Sequence, residues 1–170
     1  MKGQILFGIG LAVLLSCDDG SVPEVDQGKL QKDLIALNHD KRVAESDSLA
    51  QYVTHKGWQM TKTKTGLYYE IVQTKNGPAV QTGQFVSVFY KVFLLDGTLC
   101  YDNSLGHPFR FKVGEDHVES GLHELMPLLK VGDEVRVVMP SHLAFGFTGD
   151  SNRIPGDSPL YYELKIVTVQ

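Results

Sequence analysis

The sequence predicts an α+β fold: a curved antiparallel sheet of five to six strands wrapped on one short helix, with an N-terminal helical arm. Three observations predict it. Apolar residues alternate with period two in successive stretches between residues 67 and 166, a single helical signal interrupts them, and helical spacing governs residues 28–60. Composition agrees, since 170 residues with 42% hydrophobic and 21% charged side chains suit one folded domain with an extension.

The chain opens with MKGQILFGIGLAVLLSC, in which Lys2 precedes an apolar run from Ile5 to Leu15. This is the layout of a signal peptide, and the run is shorter than the ~20 residues a membrane span needs. Leu14, Leu15, Ser16 and Cys17 resemble a bacterial lipobox, which implies cleavage before Cys17 and its lipidation; a generic secretory signal with an incidental cysteine is the alternative. Two or more acyl chains would hold the protein on the inner or outer membrane of a bacterial envelope, with a soluble body outside the cytoplasm. Cys100 would then be the one thiol left, so no intramolecular disulfide is expected.

Residues 17–27 are acidic and turn-rich, the composition of a tether. Leu30, Leu34 and Leu37, then Ser46, Leu49, Tyr52 and Val53, fall at helical spacing before Gly57, which predicts a helical arm over 28–60 in two pieces. Two readings stay open: an arm packed on its own domain, or a homodimerisation face.

From residue 66 to 170 the period is two. Val86, Val88, Tyr90, Val92 and Leu94 share one face of a strand, and Leu67, Tyr69 and Ile71 repeat the pattern. Phe109, Phe111 and Val113 do so with Arg110 and Lys112 turned away, as do Val135, Val137 and Met139, and finally Leu160, Tyr162, Leu164 and Ile166. The interrupting helix has Ser120 as its expected cap, Leu122, Leu125 and Met126 on one side, and Pro127 as its stop. It is the only cover available inside the domain for the sheet's apolar face.

Several function classes are excluded. A formal charge of -4 without a Lys/Arg cluster argues against nucleic acid as a partner. The six histidines show no metal-ligand spacing, no phosphate-cradling glycine loop or nucleophile elbow is present, and Cys100 lacks a local activating partner; no metal or cofactor is expected. What remains is a long polar loop between Phe145 and Pro159 that carries apolar residues, as the wall of a pocket would.

Four blocks sharpen this: FYKVFLLDGTLCYDNS, PFRFKVG, VESGLHELMPLLKVGDEVRVVMPSHLAFG and IPGDSPLYYELKIV. In order and spacing they resemble the FKBP-type peptidyl-prolyl isomerases over residues 66–170. The arm followed by KGWQMTKTKTGLYYEI, with PSHLAFG, is most similar to lipoprotein members of that family from gliding bacteria. The resemblance implies a cofactor-free rotamase acting on proline-containing envelope clients. It assigns Tyr90, Asp102, Phe145 and Tyr162 to catalysis and Tyr101, Phe109, Phe111, Val118, Glu119, Leu122 and Ile154 to substrate binding, with Asp102 as the polar wall and Leu122 as the floor. Family members usually carry tryptophan at Leu122, tyrosine at Phe145 and isoleucine at Glu119, so macrolide inhibitors are expected to bind weakly. DGTLCYDNS is also one residue longer than usual, so Cys100 and Tyr101 compete for one pocket position, and the resemblance favours Tyr101 because it directly precedes Asp102, as an aromatic does in the family.

Overall fold

The computed structural model describes residues 26–170. The expected signal peptide, Cys17 and most of the tether lie outside the described residues. Helix α1 (Gln27–Lys56) is a single helix rather than two pieces, because no proline or glycine interrupts residues 29–56. Asp26 Oδ1 caps it by accepting the Gly28 and Lys29 N–H groups at 3.0 and 3.1 Å. Gly57, at φ 68°, closes it: its N–H donates to the Thr54 carbonyl and that of Trp58 to the Val53 carbonyl, a Schellman ending. No helix among the described residues is long and apolar enough to cross a membrane.

The strands are β1 (Thr61–Lys62), β2 (Tyr68–Gln73), β3 (Phe85–Leu94), β4 (Leu99–Asp102), β5 (Phe109–Lys112), β6 (Glu134–Met139) and β7 (Leu160–Val169). They form one antiparallel sheet in the order β1-β2-β6-β7-β3-β4, with β5 paired to β3 beside β4. The two strands beyond the clearest period-two stretches, β1 and β4, are too short to display that period. Long β3 and β7 pair along their whole length and carry the sheet's centre.

Helix α2 (Ser120–Leu125) crosses the inner face and tightens at Pro127 into the 3-10 turn Met126–Leu128. Ser120 is not its cap. Glu119 occupies the N-cap position without a side-chain capping bond, and the Ser120 hydroxyl donates instead to the Leu143 carbonyl at 3.3 Å. Leu122, Leu125 and Met126 join Val86, Val88, Phe111, Val137, Leu160 and Ile166 in the main core.

A second cluster lies on the opposite face, where Leu49 and Val53 of α1 pack on Tyr68, Val138 and Tyr161. Trp58 and Phe93 stack on Tyr161 at 4.9 and 5.5 Å between ring centroids. Residues Asn38–Gln170 accordingly form one compact unit, and a boundary at residue 66 would cut through this cluster. In the other unit, the side chains of residues 27–37 are exposed, Leu30, Leu34, Ile35 and Leu37 included.

Candidate active site

Strand periodicity builds the site. Val88, Tyr90 and Val92 alternate onto the inner face of β3, and Tyr162 and Leu164 onto that of β7, where they border a cavity of about 740 Å³. That volume suits a small ligand or a peptide segment. Phe109 of β5 meets the Tyr90 ring edge-on at 6.0 Å. Leu122, nearly wholly buried, lies on the helix side, and Val118 and Glu119 enter from the loop before α2. Ala144 and Phe145 complete the wall after the turn Ser141–Leu143.

The extra residue in DGTLCYDNS is absorbed as a bulge. Val92 pairs with Tyr101 and Phe93 with Leu99, so Cys100 has no partner across the ladder and turns into the core. Burial pushes its thiol up from the ordinary value, which suits a core residue rather than a nucleophile. Tyr101 takes the inner position and lines the cavity.

The same register turns Asp102 away. It pairs with Lys91, whose side alternates opposite to Tyr90, and its carboxylate accepts the Ser104 N–H at 2.8 Å with Lys91 Nζ 3.9 Å distant. Asp102 is therefore not the polar wall of this cavity. Asp150 is: Oδ2 accepts the Tyr101 hydroxyl, and Oδ1 accepts the N–H groups of Asn152, Arg153 and Ile154 at 2.9, 2.9 and 2.8 Å. Burial opposes its charge, but the Tyr101 hydroxyl and these backbone donors prevail and hold its carboxyl down at about 2. The sequence signal for it was an aspartate opening Asp-Ser-Asn-Arg, a side chain suited to accepting backbone N–H groups two to four residues on.

Two other predicted residues stand behind the wall. Phe111 and Ile154 are buried in the main core, and Phe111 supports the site by stacking on Phe109 at 5.8 Å. The loop from Phe145 to Pro159 does place Phe145 on the cavity, with Asp150 and Asn152 from its middle. Its two limbs touch at glycines: a Cβ at Gly149 would fall 2.2 Å from the Ile154 carbonyl oxygen, and one at Gly156 would fall 2.0 Å from that of Phe147.

Tyr162 is almost fully buried, and its hydroxyl donates to Glu119 Oε1. Burial first, and then the Glu119 carboxylate, push this hydroxyl well above the ordinary tyrosine range. The Glu119 N–H makes no hydrogen bond among the described residues and stands at the cavity as a donor. Among the described residues no group of three or more His, Cys, Asp or Glu could hold a metal ion. The arrangement thus offers apolar and aromatic walls, one backbone donor and two carboxylates, with no nucleophile.

Known proteins extend this picture. The Escherichia coli strain K12 isomerase FkpA is 29% identical over 158 residues, which is 92% of this chain and 55% of FkpA, so the similarity takes in α1 as well as the sheet. The Emericella nidulans FK506-binding protein 4 is 33% identical over 109 residues, or 64% of this chain and 22% of that protein. This chain spans about half or less of the length of these two relatives. A peptidyl-prolyl cis-trans isomerase structure from Pseudomonas syringae superposes with a TM-score of 0.64 at 22% identity, covering 75% of this chain and 94% of that one. The E. coli FkpA crystal structure gives 0.63 at 24%, covering 86% and 74%; both likenesses concern the fold. The model of the FKBP-type peptidyl-prolyl cis-trans isomerase family matches residues 77–167, more than half of the chain, from before β3 to most of the way along β7, and this chain belongs to that family.

Proposed function

We propose that the protein is a peptidyl-prolyl cis-trans isomerase that acts on proline-containing segments of polypeptide clients. One observation carries the reading: an aromatic cavity walled by Tyr90, Phe109, Leu122 and Tyr162, with the Glu119 N–H, which has no partner among the described residues, beside it. Rotation about an Xaa-Pro bond faces a barrier of about 18–20 kcal/mol. The planar amide owes part of that barrier to resonance and to solvation of its dipole. Apolar walls withdraw solvation from the planar form more than from the twisted one, while the Glu119 N–H holds a substrate carbonyl in place. Lowering the barrier by about 5 kcal/mol accelerates rotation more than a thousandfold without acid, base or covalent intermediate. Exchange spectroscopy on a blocked Xaa-Pro peptide tests this, with faster cis/trans exchange expected at catalytic protein concentrations.

The second reading is a proline-binding chaperone or adaptor. It is favoured by Phe145, which brings no hydroxyl to the cavity, and by Leu122, which leaves a narrower floor than an indole would. Saturable binding of the same peptide with unaltered exchange supports the adaptor and removes the isomerase. The same two side chains lead us to propose weakened binding of macrolide inhibitors.

We further propose that Cys17 is lipidated, as in envelope lipoproteins of gliding bacteria, so that the folded domain works outside the cytoplasm on a membrane surface. The lipobox-like Leu14, Leu15, Ser16 and Cys17 supports this. Cys17→Ser is expected to release the protein from washed membranes and to leave the uncut signal visible by mass spectrometry. The exposed Leu30, Leu34 and Leu37 support a homodimer through the arm, to be checked by sedimentation of residues 26–170 against 38–170.

A further inference from the structure

The cavity holds a charge that its apolar walls do not require. Glu119, Asp150 and His117 line it, and among the described residues no lysine or arginine does. The two carboxylates differ. Both oxygens of Asp150 are occupied, by the Tyr101 hydroxyl and by three backbone N–H groups, and the Arg153 guanidinium sits nearby over the Tyr101 ring. Glu119 has only the Tyr162 hydroxyl on Oε1, and Oε2 is without a hydrogen-bond partner among the described residues.

A half-buried carboxylate against aromatic walls is poorly screened, so its attraction for a cation exceeds that of a carboxylate in open water. Its field already reaches across the cavity: the Tyr90 hydroxyl is raised by burial and then by Glu119. We propose that Glu119 makes this pocket select client segments with a lysine or arginine adjacent to the proline. The inference rests on the reading that the cavity seats proline, whether for catalysis or for capture. Successive Cα atoms lie about 3.8 Å apart, so the neighbour of a seated proline lies within a side chain's reach of Glu119 on the cavity wall. A lysine or arginine stem can lie along Tyr90 and Phe109 while its head reaches the free oxygen. An acidic neighbour meets like charge there, and the formal charge of -4 on the whole chain adds to the bias at longer range.

The test uses blocked tetrapeptides with Lys, Leu or Glu before the proline, and a fourth with Lys after it. Dissociation constants from NMR titration and exchange rates are measured on the same samples. At low salt the better lysine peptide is expected to bind roughly tenfold more tightly than the glutamate peptide. At about 1 M salt, where the screening length is about 3 Å, that ratio should shrink several-fold. Glu119→Gln should bring the ratio close to one and Glu119→Lys should invert it, with thermal melts confirming that each variant is folded. A wild-type ratio of one at low salt overturns the inference whatever the variants do, and so does an unchanged ratio in folded Glu119→Lys. Charge preference in binding without faster exchange removes the isomerase reading and keeps the selectivity; faster exchange without charge preference does the reverse.

Discussion

Tyr161 and Tyr162 are neighbours in β7 that point to opposite faces of one sheet, both buried and both donating a hydroxyl to a carboxylate, Glu163 and Glu119 respectively. Their surroundings differ. Tyr161 is sandwiched between Trp58 and Phe93 under α1, with ring planes 30° and 28° from its own. Tyr162 lines the cavity of about 740 Å³. Burial and hydrogen bonding therefore do not separate a core residue from a site residue here. A cavity beside a carboxylate oxygen and a backbone N–H that have no partner among the described residues does.

Removing the outer cover should have the largest effect on stability and the least on chemistry. Leu49→Ala deletes a buried side chain from the smaller cluster and is expected to cost about 3 kcal/mol in urea unfolding. Peptide exchange by the folded fraction should stay as in wild type; a parallel loss of exchange would mean the two faces are coupled.

On the inner face, Asp150→Ala leaves three backbone N–H groups and the Tyr101 hydroxyl without their acceptor, and about 2 kcal/mol of stability is expected to go with the loop. The pH dependence has a definite sign. The folded carboxyl sits at about 2 against an ordinary 3.8, so its contribution is complete above about 3.8 and is lost as pH falls toward about 2. Melts from pH 5 downward should show that loss in wild type, and Asp150→Asn should flatten it.

Tyr162→Phe removes one hydroxyl and no ring, with a cost of about 1 kcal/mol. Because the folded hydroxyl titrates well above its ordinary 10.0, this tyrosine's contribution is full below about pH 10 and declines as pH rises beyond it. Alkaline unfolding should begin earlier in wild type than expected from the neutral-pH stability difference, and the variant should lack that component. The smallest effect belongs to Asp102→Ala. Its carboxylate faces Ser104 and Lys91 off the cavity, and exchange should stay within about twofold of wild type. A larger loss there would return Asp102 to the site and displace Asp150.

Much of this was legible in the sequence, for reasons that can be named. Period two put Val88, Tyr90 and Val92 on one face of β3 and Tyr162 with Leu164 on one face of β7, so the shared face follows from alternation, whereas a pocket at Tyr90 and Tyr162 was implied only by the family resemblance. Gly57 marked the end of α1 because a left-handed residue closes a helix there. The same alternation also hid something: it assigns Tyr68, Val138 and Tyr161 to the outward side without saying that Leu49 and Val53 cover them.

By itself, then, the sequence determined the five longer strands β2, β3, β5, β6 and β7, the end of the arm at Gly57 and the order of blocks that resembles the family, because each of these depends on neighbours within a few residues. Only the tertiary structure decided which aspartate faces the cavity. One bulged residue, Cys100, sets the face of everything after it in β4, so Tyr101 turns inward and Asp102 outward. The polar wall falls to Asp150, 49 residues along from the Tyr101 that bonds to it. A side-chain period of two makes any register inference reverse with a single inserted residue, and where that residue is absorbed is settled by pairing between strands rather than by local sequence.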